Sequence, residues 1–345
     1  MFYSTYVSIQ HYDISNELYK TFLDKDHMMY SCGVFDTEVV PRASAIPASG
    51  LPQFDPTILQ SHRKSTSLFR QSHALLFKGS LEESQSRKIG ALLSRLEPLG
   101  PEHTLLDIGF GWGGICIYAA EKYGCKVTGI TLSQEQKALA EERVRTKGLQ
   151  HLMTFELIDY REFAKVRKQR GNRKFDRIVS CEMIEAVGHN YLKSFFETVD
   201  SLLDTEGVFV MQAITMPDAR YPLYVKSADF LNTIIFPGGC CPSLGALLDA
   251  MASSSSLHLE NAINLNLHYA ETLRQWRQRF NRSLPRVLEL GFDDAFIRLW
   301  NLYLCQCEAG FEAQIINLQI LTFTRTGNPN MIAKRAMEYI CTGSK

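Results

Sequence analysis

Residues 104–114 read TLLDIGFGWGG, an apolar stretch suited to a buried strand that runs directly into a glycine-rich turn. Glycine lets the backbone take positive φ, and it lets a ligand approach main-chain atoms that a Cβ would block. The apolar helix expected from Gly114 onward would point free N–H groups at such a ligand. The stretch therefore predicts a nucleotide-type cofactor site, and a cofactor enzyme is the leading hypothesis. A tight turn that binds nothing is the simpler alternative.

The next two predicted strands indicate which nucleotide fits. The spacing of the glycines also satisfies the G-x-G-x-x-G pattern of dinucleotide sites. The predicted strand 126–131, however, ends without the Asp or Glu that an NAD site places there for the ribose hydroxyls. The predicted strand 153–158 ends on Asp159 and Tyr160, at the edge where open α/β sheets bind ligands. A nucleoside without a pyrophosphate therefore fits better than NAD.

The composition is that of an ordinary soluble protein, with 345 residues, 45% apolar and 21% charged, and zero formal net charge. A neutral balance argues against general nucleic-acid binding, which normally needs a basic excess. The nine cysteines show no CxxC spacing, so we expect free thiols in a reducing, cytoplasmic setting and no metal site. We expect neither a secretory signal nor a membrane span, because no uninterrupted apolar run reaches about 18 residues.

Strands and helices alternate from residue 81 to residue 215, which predicts an α/β fold with a parallel, doubly wound sheet. Residues 226–253 look helical around a turn. Two further strands, 257–267 and 315–325, would flank two more helices and close the sheet as an antiparallel pair. The predicted helices are 81–95, 114–123, 133–147, 190–203, 269–282 and 293–311, and the predicted strands of the alternating part are 104–109, 126–131, 153–158, 175–181 and 207–215.

The chain before residue 81 differs in character. Residues 1–35 are rich in aromatic side chains and predict short helices, whereas residues 36–57 are rich in Pro, Ala, Ser and Gly and predict a loop. Residues 61–80 would form a basic amphipathic helix with no acidic side chain. Such a helix can lie on an anionic membrane surface, or it can pack its apolar face on the domain. Its basic residues are Arg63, Lys64, Arg70 and Lys78.

A set of longer motifs runs along the chain in a fixed order: HYDISN (11–16), YSCGVF (30–35), LLDIGFGWGG (105–114), GITLSQEQ (129–136), DRIVSCEMIEAVGH (176–189), IFPGG (235–239), HYAETLRQW (268–276) and CEAGF (307–311). On these motifs the chain resembles the cyclopropane-fatty-acyl-phospholipid synthase family of S-adenosylmethionine (SAM)-dependent methyltransferases, and most closely its plant-type, eukaryotic branch. The resemblance covers residues 11–325 apart from 36–80. Because the match begins almost at Met1, we expect the N-terminal domain of many bacterial members to be absent.

The resemblance implies a class I methyltransferase fold, which is a Rossmann-like seven-stranded sheet with a helical cap. The cap would comprise residues 1–35 and about 218–312, residues 36–80 would be an insertion that contacts membrane or substrate, and residues 81–345 would hold the methyltransferase domain. The implied reaction moves the methyl group of SAM to a C=C bond of an unsaturated phospholipid acyl chain, and gives a cyclopropane and S-adenosylhomocysteine. Methylation of a small-molecule natural product at carbon or nitrogen, and cofactor binding without catalysis, remain alternatives. Whether the chain forms a homodimer is left open.

The resemblance also implies which residues bind the cofactor. Tyr30 and Ser31 would contact the methionine end, residues 131–136 would surround the ribose, and Asp159 and Tyr160 would border the adenine. The full implied set is Tyr30, Ser31, Leu105, Asp107, Gly109, Gly111, Trp112, Gly113, Thr131, Leu132, Gln136, Asp159 and Tyr160.

The chemistry of the implied reaction requires a second group of residues. An alkene that attacks a sulfonium methyl becomes a carbocation, which aromatic faces stabilise where water is excluded. Ring closure then needs a base that removes a proton from the newly added methyl group. In the family this base is thought to be a bound bicarbonate ion. The resemblance implies that its ligands here are the backbone of Cys32, the side chains of Glu185, Gln212 and Tyr269, and the backbone of Ile214.

These candidates differ in strength. Glu185 lies among apolar neighbours, where an acid is costly without a partner, so a functional role is favoured over a helix-start carboxylate. Gln212 departs from the His of many bacterial members, and an amide can hydrogen-bond an anion but cannot share a proton with it. Tyr269 rests mainly on its motif. Cys307 matches a cysteine once proposed as catalytic in the family, although a thiol on an apolar helix is more often a small core residue.

Overall fold

The computed structural model describes residues 15–41 and 73–331. The strands in these ranges are β1 (Asp36–Pro41), β2 (His73–Lys78), β3 (Thr104–Ile108), β4 (Lys126–Thr131), β5 (Met153–Leu157), β6 (Phe175–Cys181), β7 (Leu203–Thr215), β8 (Leu257–Asn264) and β9 (Asn317–Arg325). The α-helices are α1 (Asn16–Lys20), α2 (Leu81–Leu93), α3 (Gly114–Tyr123), α4 (Gln134–Thr146), α5 (Tyr160–Gln169), α6 (Leu192–Leu202), α7 (Tyr221–Tyr224), α8 (Leu244–Ser254), α9 (Asn266–Arg282), α10 (Leu284–Glu289) and α11 (Asp294–Glu312). Among them, none combines the length and apolar character needed to cross a bilayer.

Within the described ranges the large sheet has seven strands in the order β5-β4-β3-β6-β7-β9-β8. Strands β3 to β7 are parallel, and β9 runs antiparallel to both β7 and β8. The carboxyl ends of the parallel strands therefore meet at one edge. The strand order reverses between β3 and β6, which is where open α/β sheets form a ligand crevice. The predicted α/β class and the closing antiparallel pair are confirmed.

Burial on both faces explains why the central strands read as apolar runs. Leu105 and Leu106 on β3, and Ile178 and Val179 on β6, are fully buried, as expected for parallel strands that helices cover on both faces. Helix α2 begins with a capping box, in which Ser80 and Glu83 each satisfy a backbone N–H of the other. A cap of this kind stabilises a helix by about 1 kcal/mol. Local chemistry and tertiary burial thus specify the same elements.

The residues before β1 pack against the helices near the other end of the described chain. The Phe22 ring lies 6.2 Å from the rings of both Trp276 and Trp300. The Gly33 N–H donates to the Thr272 hydroxyl at 3.1 Å. These contacts join the N-terminal segment to α9 and α11 in one helical layer.

The described part of the predicted insertion differs from expectation. Residues 36–41 and 73–78 were expected to be a loop and part of a helix, but they form the antiparallel pair β1–β2. A short apolar run does not distinguish a strand from a helix by its periodicity. Here the Phe77 ring packs against the Phe35 ring, with centroids 6.0 Å apart, which favours the extended form. The basic residues Arg63, Lys64 and Arg70 lie outside the described residues.

One other prediction of local structure is wrong, and one helix was not predicted. Residues 28–35 were expected to be helical but are extended or bent, because the buried Asp24 carboxylate accepts the backbone N–H groups of His27, Met28 and Met29 and fixes a turn. Helix α5 was not predicted at all. Half of its residues are charged, and among its residues only Tyr160 and Phe163 are buried, so its apolar stripe is too narrow to be recognised from the sequence.

Candidate active site

The turn between β3 and α3 uses its glycines for both conformation and space. Gly109, Gly111 and Gly113 have φ values of 86°, 55° and 81°. A Cβ at Gly109 would lie 2.8 Å from Cγ of Met183, so the close approach of the Met183 side chain, which follows β6, favours glycine there. A Cβ at Gly111 would meet nothing within 4 Å. The turn is therefore packed on one side and open on the other.

A cavity lies on the open side of this turn, which we call the cofactor cavity. It is bordered by the carboxyl ends of β3, β4, β5 and β6 and by residues 28–31. Most of the predicted cofactor residues line it, namely Tyr30, Ser31, Gly109, Gly111, Trp112, Thr131, Leu132, Gln136, Asp159 and Tyr160. The structure thus brings together residues that lie far apart in the chain.

Three of the predicted cofactor residues lie behind the cavity wall. Leu105 is fully buried within β3, and a Cβ on Gly113 would face Ala140 rather than the cavity. Asp107 is also buried, and burial raises the pKa of its carboxyl group to about 7. Its Oδ2 lies 3.3 Å from the thiol of Cys116, which donates to it. These residues support the turn from below.

The polar side chains of the cofactor cavity are held by local hydrogen bonds. The Thr131 hydroxyl donates to the side-chain oxygen of Gln136 at 2.9 Å, which fixes the amide at the start of α4. Asp159 caps α5 by accepting the Arg161 backbone N–H, and both of its carboxylate oxygens also accept from the Arg161 side chain. The indole N–H of Trp112 donates to Asn16 at 2.7 Å. The cavity is thus preorganised by the chain itself.

Lys88 is a charged residue of this region that the sequence reasoning missed. It is fully buried, and its ammonium donates to the Ser31 hydroxyl at 2.8 Å. A buried ammonium is costly unless partners compensate it, and here the buried acids Asp24, Asp107 and Glu182 interact with it electrostatically. The available signal was its position, because Lys88 follows Leu81, Ser84 and Gln85 on the buried face of α2.

A second cavity, which we call the acceptor cavity, adjoins the first. Tyr30, Glu182 and Ala186 line both cavities, so the two meet at these residues. The acceptor cavity has aromatic walls that suit a cationic centre kept away from water. The rings that line it are Tyr30, Tyr224, Phe236, Tyr269, Tyr303 and Phe311.

Glu182 lies at this junction and is the centre of a hydrogen-bond cluster. Its Oε1 accepts the backbone N–H of Cys32 at 3.0 Å and the amide of Gln212 at 2.7 Å. Its Oε2 accepts the hydroxyl of Tyr269 at 2.5 Å. Burial raises the pKa of Glu182, although donation from these three groups opposes the rise. We call Glu182 with these three donors and the neighbouring Glu185 the carboxylate cluster.

Glu185 has a poorer set of partners. Its Oε1 accepts the backbone N–H of Ile214 at 2.6 Å, and its buried Oε2 has no hydrogen-bond partner within the described part of the chain. Burial and the nearby Glu182 charge raise the pKa of Glu185 to about 8. Two adjacent acids with unequal donors divide their roles. Glu185 therefore keeps its proton at neutral pH, and the charge belongs on Glu182.

The predicted ligands of a bicarbonate ion do come together, but they do not fit that ion. Cys32, Gln212 and Tyr269 donate to Glu182, and Ile214 donates to Glu185. A separate anion would find these donors already used and a negative charge beside it. The predicted catalytic Cys307 lines the acceptor cavity, where burial raises the pKa of its thiol to about 12. It is therefore a neutral thiol at physiological pH.

Sequence reasoning chose Glu185 from the MIEAVG motif and passed over Glu182, three residues earlier. A signal for Glu182 was present, because it directly follows β6 at the carboxyl edge of the sheet, where ligands bind in open α/β folds. Which of the two acids would meet the donors depends on the backbone of Glu182, whose φ is +51°. That conformation is rare for a residue with a side chain.

The seven-stranded sheet, with its glycine turn and its cavity at the carboxyl edge, defines a class I methyltransferase fold. The profile of the family described as mycolic acid cyclopropane synthetase matches residues 60–321. The chain belongs to this family. It is 35% identical over 319 residues to a tuberculostearic acid methyltransferase of Mycobacterium tuberculosis, which covers 92% of this chain and 65% of that protein.

Two further comparisons agree with this assignment. The chain is 30% identical to the cyclopropane-fatty-acyl-phospholipid synthase of Escherichia coli K12, over 92% of this chain and 68% of that protein. The chain thus spans about two thirds of the length of these curated relatives. A crystal structure of a mycolic acid cyclopropane synthase with SAH and CTAB superposes with a TM-score of 0.73 at 26% identity, over 93% of this chain and 98% of that chain.

Proposed function

We propose that the protein transfers the methyl group of SAM to a C=C bond of an unsaturated phospholipid acyl chain. The products are a cyclopropane fatty acyl chain and S-adenosylhomocysteine. The observation that carries this proposal is the junction of the two cavities, where Tyr30, Glu182 and Ala186 line both. A methyl donor in the first cavity and an alkene in the second would meet there beside a buried carboxylate.

The cofactor cavity supports SAM as the donor. The Gly111 side of the turn is open, and Lys88 places a positive charge beneath Ser31 that suits the carboxylate of the methionine end. When bound, SAM supplies an electrophilic methyl group on its sulfonium centre. The residues of the cavity would bind and orient it, with Asp159 and Tyr160 at the opposite end.

The acceptor cavity supports an acyl chain as the substrate. Its aromatic walls exclude water and would stabilise the carbocation that an attacking alkene becomes. Methylation of a soluble amine or another small molecule is less favoured, because the names of relatives that match most of this chain refer to a fatty acid or to a fatty acyl phospholipid. We also infer that residues 15–35 and 218–312 act as one cap over this cavity, since Tyr30 and Tyr303 join across it with their hydroxyls 2.8 Å apart.

Access from a membrane is the remaining part of the proposal. Leu223 is 77% exposed and Ile234 is 54% exposed. Tyr224, next to Leu223, and Phe236, two residues after Ile234, line the acceptor cavity. Exposed apolar side chains beside a lipid-binding cavity favour peripheral contact with a bilayer. We propose that these residues, together with the basic segment 61–80, bring the cavity to an anionic membrane surface.

Mass spectrometry of lipids tests the proposal. Purified protein is incubated with unsaturated phospholipid vesicles and SAM whose methyl group is fully deuterated. We expect acyl chains that are heavier by one labelled methylene and resist mild hydrogenation, because a ring is not an alkene. A cyclopropane keeps all but one of the methyl deuterium atoms. Label in a soluble acceptor of a cell extract, with none in lipid, would contradict the lipid substrate.

A further inference from the structure

We propose that Glu182 is the general base of ring closure, and that it stands in the place where the family is thought to use a bicarbonate ion. The inference rests on the proposed function, because it concerns the proton that leaves the newly added methyl group. The enzyme would then need no dissolved anion for turnover. The base would be part of the chain.

The donors expected to hold a bicarbonate ion already bind the two acids of the chain. The groups expected to hold an anion are the Cys32 N–H, the Gln212 amide and the Tyr269 hydroxyl, and all of them donate to the Glu182 carboxylate. The Ile214 N–H is used by Glu185. Of this set, a second anion would meet only the protonated Glu185 as an unused donor, and it would lie against a like charge in a site with little water.

The backbone of Glu182 is in a strained conformation. Its φ of +51° lies in the left-handed region, which costs conformational energy for any residue with a Cβ. The strain is held by the peptide N–H of Glu182, which donates to the Gln212 carbonyl at 2.8 Å. Such strain persists where the surrounding structure over-determines it, and it collects at functional sites. The strained conformation is the one that aims this carboxylate at the junction of the cavities.

The two acids also differ in protonation before the reaction. Burial and the Glu182 charge raise the pKa of Glu185 to about 8, so Glu185 is protonated at neutral pH. The three donors to Glu182 stabilise its charged form, so the charge of the pair lies on Glu182. Burial also raises the pKa of Glu182, which strengthens it as a proton acceptor. Gln212 is an amide that donates to Glu182 and cannot take up a proton. The proton would therefore stay on Glu182 until the product leaves.

The alkene π electrons form a C–C bond to the methyl carbon, and the S–CH₃ bonding pair returns to sulfur, which leaves a neutral thioether and a carbocation on the acyl chain. A Glu182 oxygen accepts a proton from that methyl group. The released C–H pair forms the third bond of the ring. Water then removes the proton from Glu182.

The experiment compares purified wild type with two variants in buffer freed of carbon dioxide, before and after bicarbonate is added. Glu182→Gln keeps the size of the side chain but cannot act as a base. Glu182→Gly removes the carboxylate and also suits the positive φ, so it should fold. Glu206→Gln, an exposed acid at the start of β7, is the matched control and should behave as wild type. Turnover on lipid, SAM affinity by calorimetry and ¹³C NMR line broadening of labelled bicarbonate are measured.

Wild type should turn over without bicarbonate and should not broaden its signal. Glu182→Gln should lose turnover by roughly 10²- to 10⁴-fold, keep its SAM affinity and gain nothing from bicarbonate. Glu182→Gly should be as inactive in bicarbonate-free buffer, should bind bicarbonate, and should regain part of its turnover as the anion is added.

The proposal is overturned if wild-type turnover falls when carbon dioxide is removed and returns with bicarbonate, or if Glu182→Gln remains active. Failure of the proposed function gives a different result, since wild type would then label no lipid in any buffer. In that case the NMR measurement still tests whether the Glu182 side chain takes the place of a bicarbonate ion. Bicarbonate binding to Glu182→Gly but not to wild type supports the replacement, and any other binding pattern contradicts it.

Discussion

The cofactor cavity and the carboxylate cluster touch each other, but they are assembled in different ways. The floor of the cofactor cavity comes from one contiguous stretch, residues 104–114, which holds a strand, a turn and the start of a helix. The carboxylate cluster gathers Cys32, Glu182, Gln212 and Tyr269 from separate segments. Local sequence therefore determines where the cofactor binds, whereas long-range topology determines the proton chemistry.

The two regions also differ in how their ionisable side chains are stabilised. In the cofactor cavity the Asp159 carboxylate accepts from Arg161, and Lys88 donates to Ser31. In the cluster the acids Glu182 and Glu185 have raised pKa values because burial opposes their ionisation. Asp159 and Lys88 thus have hydrogen-bond partners, whereas one oxygen of Glu185 has none within the described residues.

The largest expected effect is on the pH dependence of stability, and it tests the buried acids of the carboxylate cluster. The folded-state pKa of Glu185 is about 8, above its ordinary 4.5, so between these values the folded protein binds more protons than the unfolded chain. Stability contributed by this group therefore falls as pH rises through that window. Glu185→Gln removes this titration. The free energy of unfolding of the variant minus that of wild type should therefore be about 2–4 kcal/mol larger at pH 8 than at pH 5. Urea unfolding at both pH values measures this.

Glu82→Gln is the matched control because its linkage has the opposite sign. Hydrogen bonds from Arg279 lower the pKa of Glu82 to about 2, so its contribution is present above about pH 4.5 and is lost only as pH falls toward 2. This variant should be less stable than wild type by about 1 kcal/mol at both pH values. A Glu185→Gln difference that does not change with pH would contradict the assignment of the proton to Glu185.

The next effect tests the cofactor side alone. Gly111→Ala places a methyl group where the turn is open, and overfilling a fitted site costs about 1–3 kcal/mol, so SAM should bind roughly tenfold to a hundredfold more weakly. Gly148→Ala is the control, since Gly148 also has positive φ and would meet nothing within 4 Å but lies outside the cavity. Calorimetry gives the affinities and thermal unfolding gives the common backbone cost. Equal loss of affinity in both variants would show that strain, not cofactor contact, is responsible.

A smaller effect tests the cluster alone. Tyr269→Phe removes the hydroxyl that donates to Glu182, and a hydrogen bond to a charged group contributes about 1.5–3 kcal/mol. Because Glu182 keeps its other donors, we expect kcat to fall about tenfold with unchanged SAM affinity. Tyr303→Phe alters another ring of the same cavity and leaves Glu182 its three donors, so its loss of kcat should be smaller. Equal losses would mean that Tyr269 acts only as part of the wall.

The glycine turn was predictable because its pattern lies within one contiguous stretch, residues 104–114. The rest of the cofactor cavity comes from distant segments, and its residues were predicted from the family motifs. The apolar strand and the glycine spacing predicted β3, the turn and α3, and the alternation of strands and helices predicted a parallel sheet. The β1–β2 pair and α5 were missed because their apolar patterns are short or narrow. Glu182 could not be chosen over Glu185, since its role depends on a strained φ and on donors from distant segments. Lys88 was missed because a buried charge has no sequence pattern beyond its helical position.

The smallest expected effect is on membrane binding. It distinguishes the surface beside the acceptor cavity from the surface beside the cofactor cavity. Leu223→Ser combined with Ile234→Ser removes exposed apolar side chains beside the acceptor cavity, so binding to anionic vesicles should weaken by about three- to tenfold, given partial loss of about 1.5–3 kcal/mol per buried side chain. Leu157→Ser is the control, because Leu157 is 46% exposed but lies beside the cofactor cavity, and its vesicle binding should not change. Reversing Arg63, Lys64 and Arg70 to Glu tests the basic segment in the same sedimentation assay. If only the charge reversal weakens binding, the membrane contact belongs to residues 61–80 and not to the rim of the acceptor cavity.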